Sequence, residues 1–158
     1  MQNHGNSRHF TVWILILLQV LLGLGALGGG GALMLAPDGH LIQMPLSILK
    51  NTPFSDFLIP GVLLFTFLGI YPITVAYSLW SRPTWRWPDI LNPFKRTHWS
   101  WAGSLASGVI LIIWITVQIL LMQVGFLHLL YFSWGVLLLL ITLLPNVRQY
   151  YKLKPNPR

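Results

Sequence analysis

The sequence predicts an all-α membrane protein: a four-transmembrane-helix bundle in two helical hairpins, both termini cytoplasmic, with a short helix in the outer loop. Three observations predict it. Hydrophobic residues make up 54% of the 158-residue chain and charged residues only 8%, against about 25% charged in soluble domains. Long stretches carry no charge at all, and about 20 apolar residues suffice to span the hydrocarbon core. The basic residues gather on one side of those stretches, as the positive-inside rule requires. A chain of this length is expected to form a single domain, 1–158.

The first charge-free run lies between His9 and Pro37. It holds one span, placed at about 11–33. Arg8 before an apolar run resembles a leader's n-region. The run is far longer than an h-region of about 7–15 residues, however, and Met34-Leu35-Ala36 is a poor cleavage site, so a retained helix is expected. This span contains Gly23, Gly25 and Gly28-Gly29-Gly30-Gly31. Gly25 and Gly29 form G-x-x-x-G, a spacing that lets two backbones approach, either across a homo-oligomer or within the chain. Each Gly weakens a helix by about 1 kcal/mol relative to Ala, so the outer end should be irregular or tightly packed. No Lys-Ser or Lys-Thr follows, which argues against a phosphate-binding loop.

The outer loop covers 37–57. Pro37-Asp38-Gly39 reads as a turn. Met44-Pro45-Leu46-Ser47-Ile48-Leu49-Lys50 is too apolar for a solvated loop, and a short surface helix with Pro in its first turn fits it. Ser55 or Asp56 is placed to cap the second span, about 58–80. Pro72 inside that span should kink it. The cytoplasmic loop, 81–100, mixes Arg with Trp. The third charge-free run, Thr97 to Val147, would make a single helix roughly 75 Å long. That exceeds twice the roughly 30 Å core, so it must reverse. Gly125 marks the turn, near Gln123–Leu127. The third span is then about 101–122 and the fourth about 127–145, stopped by Pro145-Asn146.

Of the ten basic residues, all but Lys50 fall on one side of this topology. Arg8 lies in the first tail; Arg82, Arg86, Lys95 and Arg96 lie in the middle loop; Arg148, Lys152, Lys154 and Arg158 lie in the last tail. That places both termini in the cytoplasm, in a plasma or inner cell membrane. Arg82, Arg86, Lys95, Arg96, Trp85 and Trp87 are the candidate lipid-headgroup interface. The charge of +7 therefore points to lipid, not to nucleic acid.

Chemistry has few carriers. There is no Cys, hence no disulfide or thiolate, and the only acids are Asp38, Asp56 and Asp89. None falls inside a span, which argues against small proton-coupled multidrug transport. Asp56 reads first as a helix cap and second as a cation or ligand anchor. His40 and His128 could meet at the outer face beside an acid, but no histidine pair has metal-ligand spacing, so no metal or cofactor is expected. Ser104, Ser107, Trp114 and Gln118 share one face of the third span. They read as interhelical hydrogen-bonders or as the lining of a lipid or small-molecule pocket. Gln19, Tyr71 and Tyr77 would be partners for them. The ligand-site candidates are thus Asp56, His40, His128, Trp114 and Gln118.

The segments Pro37-Asp38-Gly39, Met44-Pro45-Leu46-Ser47 and Pro53-Phe54-Ser55-Asp56-Phe57-Leu58-Ile59-Pro60-Gly61 carry a resemblance. On them the chain resembles a set of small, uncharacterised bacterial four-helix integral membrane proteins. The resemblance implies a bacterial cell membrane, a distinctive outer loop and no catalytic residues. The expected function is a non-enzymatic accessory or lipid-associated membrane protein, with a protein partner or a second copy at Gly25 and Gly29. The alternatives are a small transporter or channel, and a membrane enzyme using an outer His/Asp site.

Overall fold

The computed structural model describes residues 10–122 and 125–153. Arg8, Lys154, Arg158 and Gln123 of the expected turn lie outside the described residues. Among the described residues six helices form besides two short 3₁₀ helices: α1 (Phe10–Leu35), α2 (Leu58–Ser81), α3 (Arg86–Ile90), α4 (Trp99–Leu121), α5 (Phe126–Leu143) and α6 (Pro145–Tyr150). Four of them, α1, α2, α4 and α5, are long and apolar enough to cross a membrane. The chain is an integral membrane protein built as an all-α bundle. The end bearing Phe10, Ser81, Trp99 and Leu143 is called the tail end below, and the opposite end the loop end.

The glycines decide how the helices pack. A Cβ on Gly30 would sit 2.7 Å from the Phe65 amide nitrogen and 2.9 Å from the Gly61 carbonyl oxygen. One on Gly23 would sit 2.6 Å from the Ile73 side chain and 3.0 Å from the Gly69 carbonyl oxygen. The α1–α2 crossing thus uses Gly23 and Gly30. Gly25 and Gly29, the residues of the G-x-x-x-G motif, meet only side-chain atoms at 3.8 Å. The α4–α5 hairpin has its own close contact, where Gly108 and Gly135 face each other's backbone. Despite four consecutive glycines, α1 runs unbroken to Leu35. Packing against α2 compensates for their poor propensity.

The expected disturbance by Pro72 takes the form of a widened helix. Leu64–Ile70 is a π-helical stretch, and the Tyr71 N–H bonds to the Thr66 carbonyl. Proline offers no N–H, and its ring crowds the carbonyl four residues back. A wider turn just ahead of it relieves that crowding, and such bulges are a known origin of helix distortion.

At the loop end, residues 37–57 fold back onto the bundle. The Phe57 N–H donates to the Pro37 carbonyl at 2.8 Å and closes the loop. Gly39 takes a left-handed φ of 80°, where any Cβ would strike the Met44 carbonyl. The expected short loop helix is present as the 3₁₀ helix Leu46–Leu49 with Pro45 at its N-cap, and a second 3₁₀ helix, His40–Ile42, precedes it. Leu49, Phe57 and Leu33 are buried together, with Met44, Ile48, Phe54 and Met122 against them. Burial of these apolar side chains pins the loop.

At the tail end α5 stops just before Pro145, as expected, with Leu144 extended between them. The chain then continues as α6, beneath the bundle. Val147 and Tyr151 are buried, and the Tyr151 hydroxyl donates to the Leu79 carbonyl at 2.7 Å.

Candidate functional site

The two hairpins pack closely at the tail end and diverge at the loop end. A polar layer ties the tail half. Gln19 Nε2 donates to Ser104 Oγ at 3.1 Å, Ser104 Oγ lies 2.8 Å from Thr142 Oγ1, and Trp101 Nε1 donates to the Thr142 carbonyl at 2.8 Å. All four side chains are buried. Each bond joins two spans, which is how polar side chains hold bundles where no water competes. α4 packs more against Tyr71–Ser81 of α2 than against its π segment, and α1 packs only sparsely against α5.

That divergence leaves a cavity of about 840 Å³. Its walls come from all four spans and from the folded loop. Leu22, Ala26, Leu68, Leu111 and Ile115 form the deep part, and Trp114 lies beside them. Gln118, His128, Ser47, Lys50 and Asn51 line the mouth. Leu111 is ten residues inside the end of α4, so the cavity reaches roughly 15 Å into the bundle. Polarity therefore runs from apolar depth to polar mouth. Among the described residues Lys50 is the one charged residue of the lining, and no carboxylate joins it. Gln19 lies one turn below Leu22, and its Oε1 has no partner among the described residues.

Small residues make the room. Gly25 and Gly29 both line the cavity, and a Cβ at either would meet only ordinary contacts, Tyr131 Oη or Leu64 Cδ2 at 3.8 Å. The glycines that the sequence singled out for close packing thus stand beside open space.

The structure separates the five ligand-site candidates into two groups. Trp114, Gln118 and His128 line the cavity together. Asp56 and His40 do not. Asp56 Oδ1 accepts the Leu58 N–H at 2.9 Å, the first turn of α2. That bond satisfies an amide the helix leaves open, and the helix dipole favours the charge. His40 Nδ1 lies 2.6 Å from Asp38 Oδ1, with both side chains well exposed. The hydrogen bond to His40 holds the Asp38 carboxyl below its usual range. His128 Nδ1 accepts the Gly125 N–H at 3.0 Å and so closes the start of α5. Among the described residues no three His, Asp or Glu are grouped to hold a metal ion.

The candidate headgroup residues also divide. Arg86, Trp87, Lys95 and Arg96 are exposed. Trp85 stacks between Tyr77 and Trp99, with centroids 6.1 and 5.7 Å away. Arg82 turns inward: it donates to the Tyr150 carbonyl at 3.0 Å and lies 3.8 Å from the Tyr150 ring centroid. It caps α2 with a left-handed φ of 51°, a position usually given to Gly. The bond and the ring contact offset that strain.

Sequence reasoning missed the contribution of the loop to the lining, because hydropathy shows that a segment is buried but not against what. It also missed α6. The spacing of Val147, Tyr150 and Tyr151, three and four residues apart, was the available signal. No known protein family, curated protein or solved structure matches the chain.

Proposed function

We propose that the protein is a non-enzymatic, lipid-associated membrane protein that holds one anionic amphiphile in the loop-end cavity, with both termini in the cytoplasm. The observation that carries this is the polarity of the cavity. Its depth is apolar and its mouth offers Gln118, His128, Ser47, Asn51 and the single cation Lys50. An acyl chain matches the depth, and a negatively charged head matches Lys50. A volume of about 840 Å³ falls in the range of small-molecule sites. Asp56 and His40, on which an enzymatic reading would draw, each have a local partner away from the cavity. The basic residues of the tail end support the orientation.

The glycines of the wall provide the test. Gly25→Leu has room for its Cβ and fills the cavity with the rest of its side chain. Protein purified in mild nonionic detergent is exposed to phosphatidylglycerol and weighed intact by native mass spectrometry. Gly25→Leu should carry one lipid fewer than wild type at an unfolding temperature no lower than that of wild type, since a helical Gly with room for a Cβ is replaced by a better helix former. Equal lipid counts in the two proteins would overturn the reading.

A further inference from the structure

The basic residues of the tail end are not evenly spread. Lys95 and Arg96 from the middle loop and Arg148 and Lys152 from the last segment line one groove of about 870 Å³. Backbone pairing holds the two segments together. Thr97 and Lys152 form an antiparallel bridge, the Leu153 N–H donates to the Arg96 carbonyl at 2.9 Å, and the His98 N–H donates to the Tyr151 carbonyl at 2.8 Å. Folding therefore concentrates like charges. No carboxylate comes to meet them: among the described residues the only ion pair is His40 with Asp38, at the other end. Lys95 Nζ bonds to the main-chain carbonyls of Asp89 and Ile90. Arg148 lies 5.6 Å from the Trp101 ring centroid.

The groove also has an apolar side. Leu143 lines it and is 54% exposed, and Leu140, one turn earlier on the same face of α5, is 60% exposed. A charged groove thus continues into an apolar track along a membrane-crossing helix. An anion that carries its own acyl chains fits both parts, and a free anion fits only the first.

We propose that this groove is a discrete site for the phosphodiester head of an anionic phospholipid from the leaflet at the tail end, with its acyl chains along Leu143 and Leu140. The phosphate faces Arg96, Arg148 and Lys152, where charge-assisted bonds to phosphate oxygens are strongest. This site is separate from the loop-end cavity and does not depend on it.

The experiment uses the full chain in nonionic detergent, in wild-type and Gly25→Leu backgrounds, so that lipid at the loop end does not enter the second. Dioctanoylphosphatidylglycerol is titrated in and the unfolding midpoint is followed. Removing one interfacial cation weakens anionic-lipid binding by roughly fivefold. Arg148→Gln and Lys152→Gln should each raise the half-saturating concentration by about that factor. Thr84→Lys, which adds a cation at an exposed position between α2 and α3 outside the groove, should leave it unchanged. Lys152→Gln carries the test should Arg148→Gln disturb the contact with Trp101, because Lys152 forms its bridge through the main chain alone. Dioctanoylphosphatidylcholine and inorganic phosphate should not reproduce the shift. The proposal is overturned if Thr84→Lys tightens binding as much as Lys152→Gln weakens it, which means a diffuse field. It is equally overturned if phosphate alone or the zwitterionic lipid gives the same midpoint shift.

Discussion

His98 serves several groups at the tail end through one imidazole. Its Nδ1 accepts the Ser100 N–H at 3.3 Å and lies 2.8 Å from Ser100 Oγ, while Nε2 lies 3.2 Å from the Pro83 carbonyl. These partners fit the neutral ring with its proton on Nε2, and a second proton would displace the cap of α4. Burial lowers the His98 pKa from its usual 6.5; nearby Arg82 lowers it further, while the bond to Pro83 and the charge of Asp89 pull it back up. The folded protein therefore binds this proton less readily than the unfolded chain. Stability from His98 is fully present above about pH 6.5 and is lost as the pH falls from there towards the folded-state value. The unfolding midpoint in detergent should drop between pH 7.5 and pH 5.5. His98→Asn, which keeps a capping side chain, should flatten that slope. An unchanged slope would mean that His98 is not the group responsible. Asp56 teaches the same lesson about context: a lone carboxylate at a membrane boundary invites a transport reading, and its bond to the Leu58 N–H gives it a structural task.

At the scale of the helix, position within a glycine run matters more than the run itself. Gly28 has no heavy atom within 4 Å of where a Cβ would lie, whereas at Gly30 the obstacle is the main chain of α2, which cannot step aside. Gly28→Ala should stabilise α1 by about 1 kcal/mol, the ordinary propensity difference. Gly30→Ala should destabilise the protein by more than that gain, because the two helices must separate to admit the methyl group. Thermal unfolding in detergent of the two single variants checks the opposite signs. A shared sign would mean that the α1–α2 contact is not made through Gly30. The π segment before Pro72 belongs to the same scale. Pro72 announced a distortion in the sequence, but whether the helix bends or widens depends on its neighbours, and Gly61 and Gly69 bring α1 close on that side.

For the whole molecule, charge and hydropathy made the spans legible to within two residues, because lipid leaves few alternatives for an apolar run. The cavity was half legible. The stripe of Trp114 and Gln118 showed a polar face on the third span, but its facing loop and the divergence of the hairpins arise from tertiary packing, which periodicity does not encode. Orientation is the property on which both proposed lipid sites are placed in their leaflets. The absence of cysteine makes it testable, since any introduced thiol is unique. Ser55, in the loop-end loop, and Thr84, between α2 and α3, are both exposed. In intact cells a membrane-impermeant maleimide should label Ser55→Cys and leave Thr84→Cys untouched until the membrane is permeabilised. The reverse pattern would put the nine basic residues outside, against the charge rule, and would move the phospholipid groove to the outer leaflet. Labelling of both in intact cells would mean that the chain inserts in two orientations, so that each leaflet meets both the cavity and the groove.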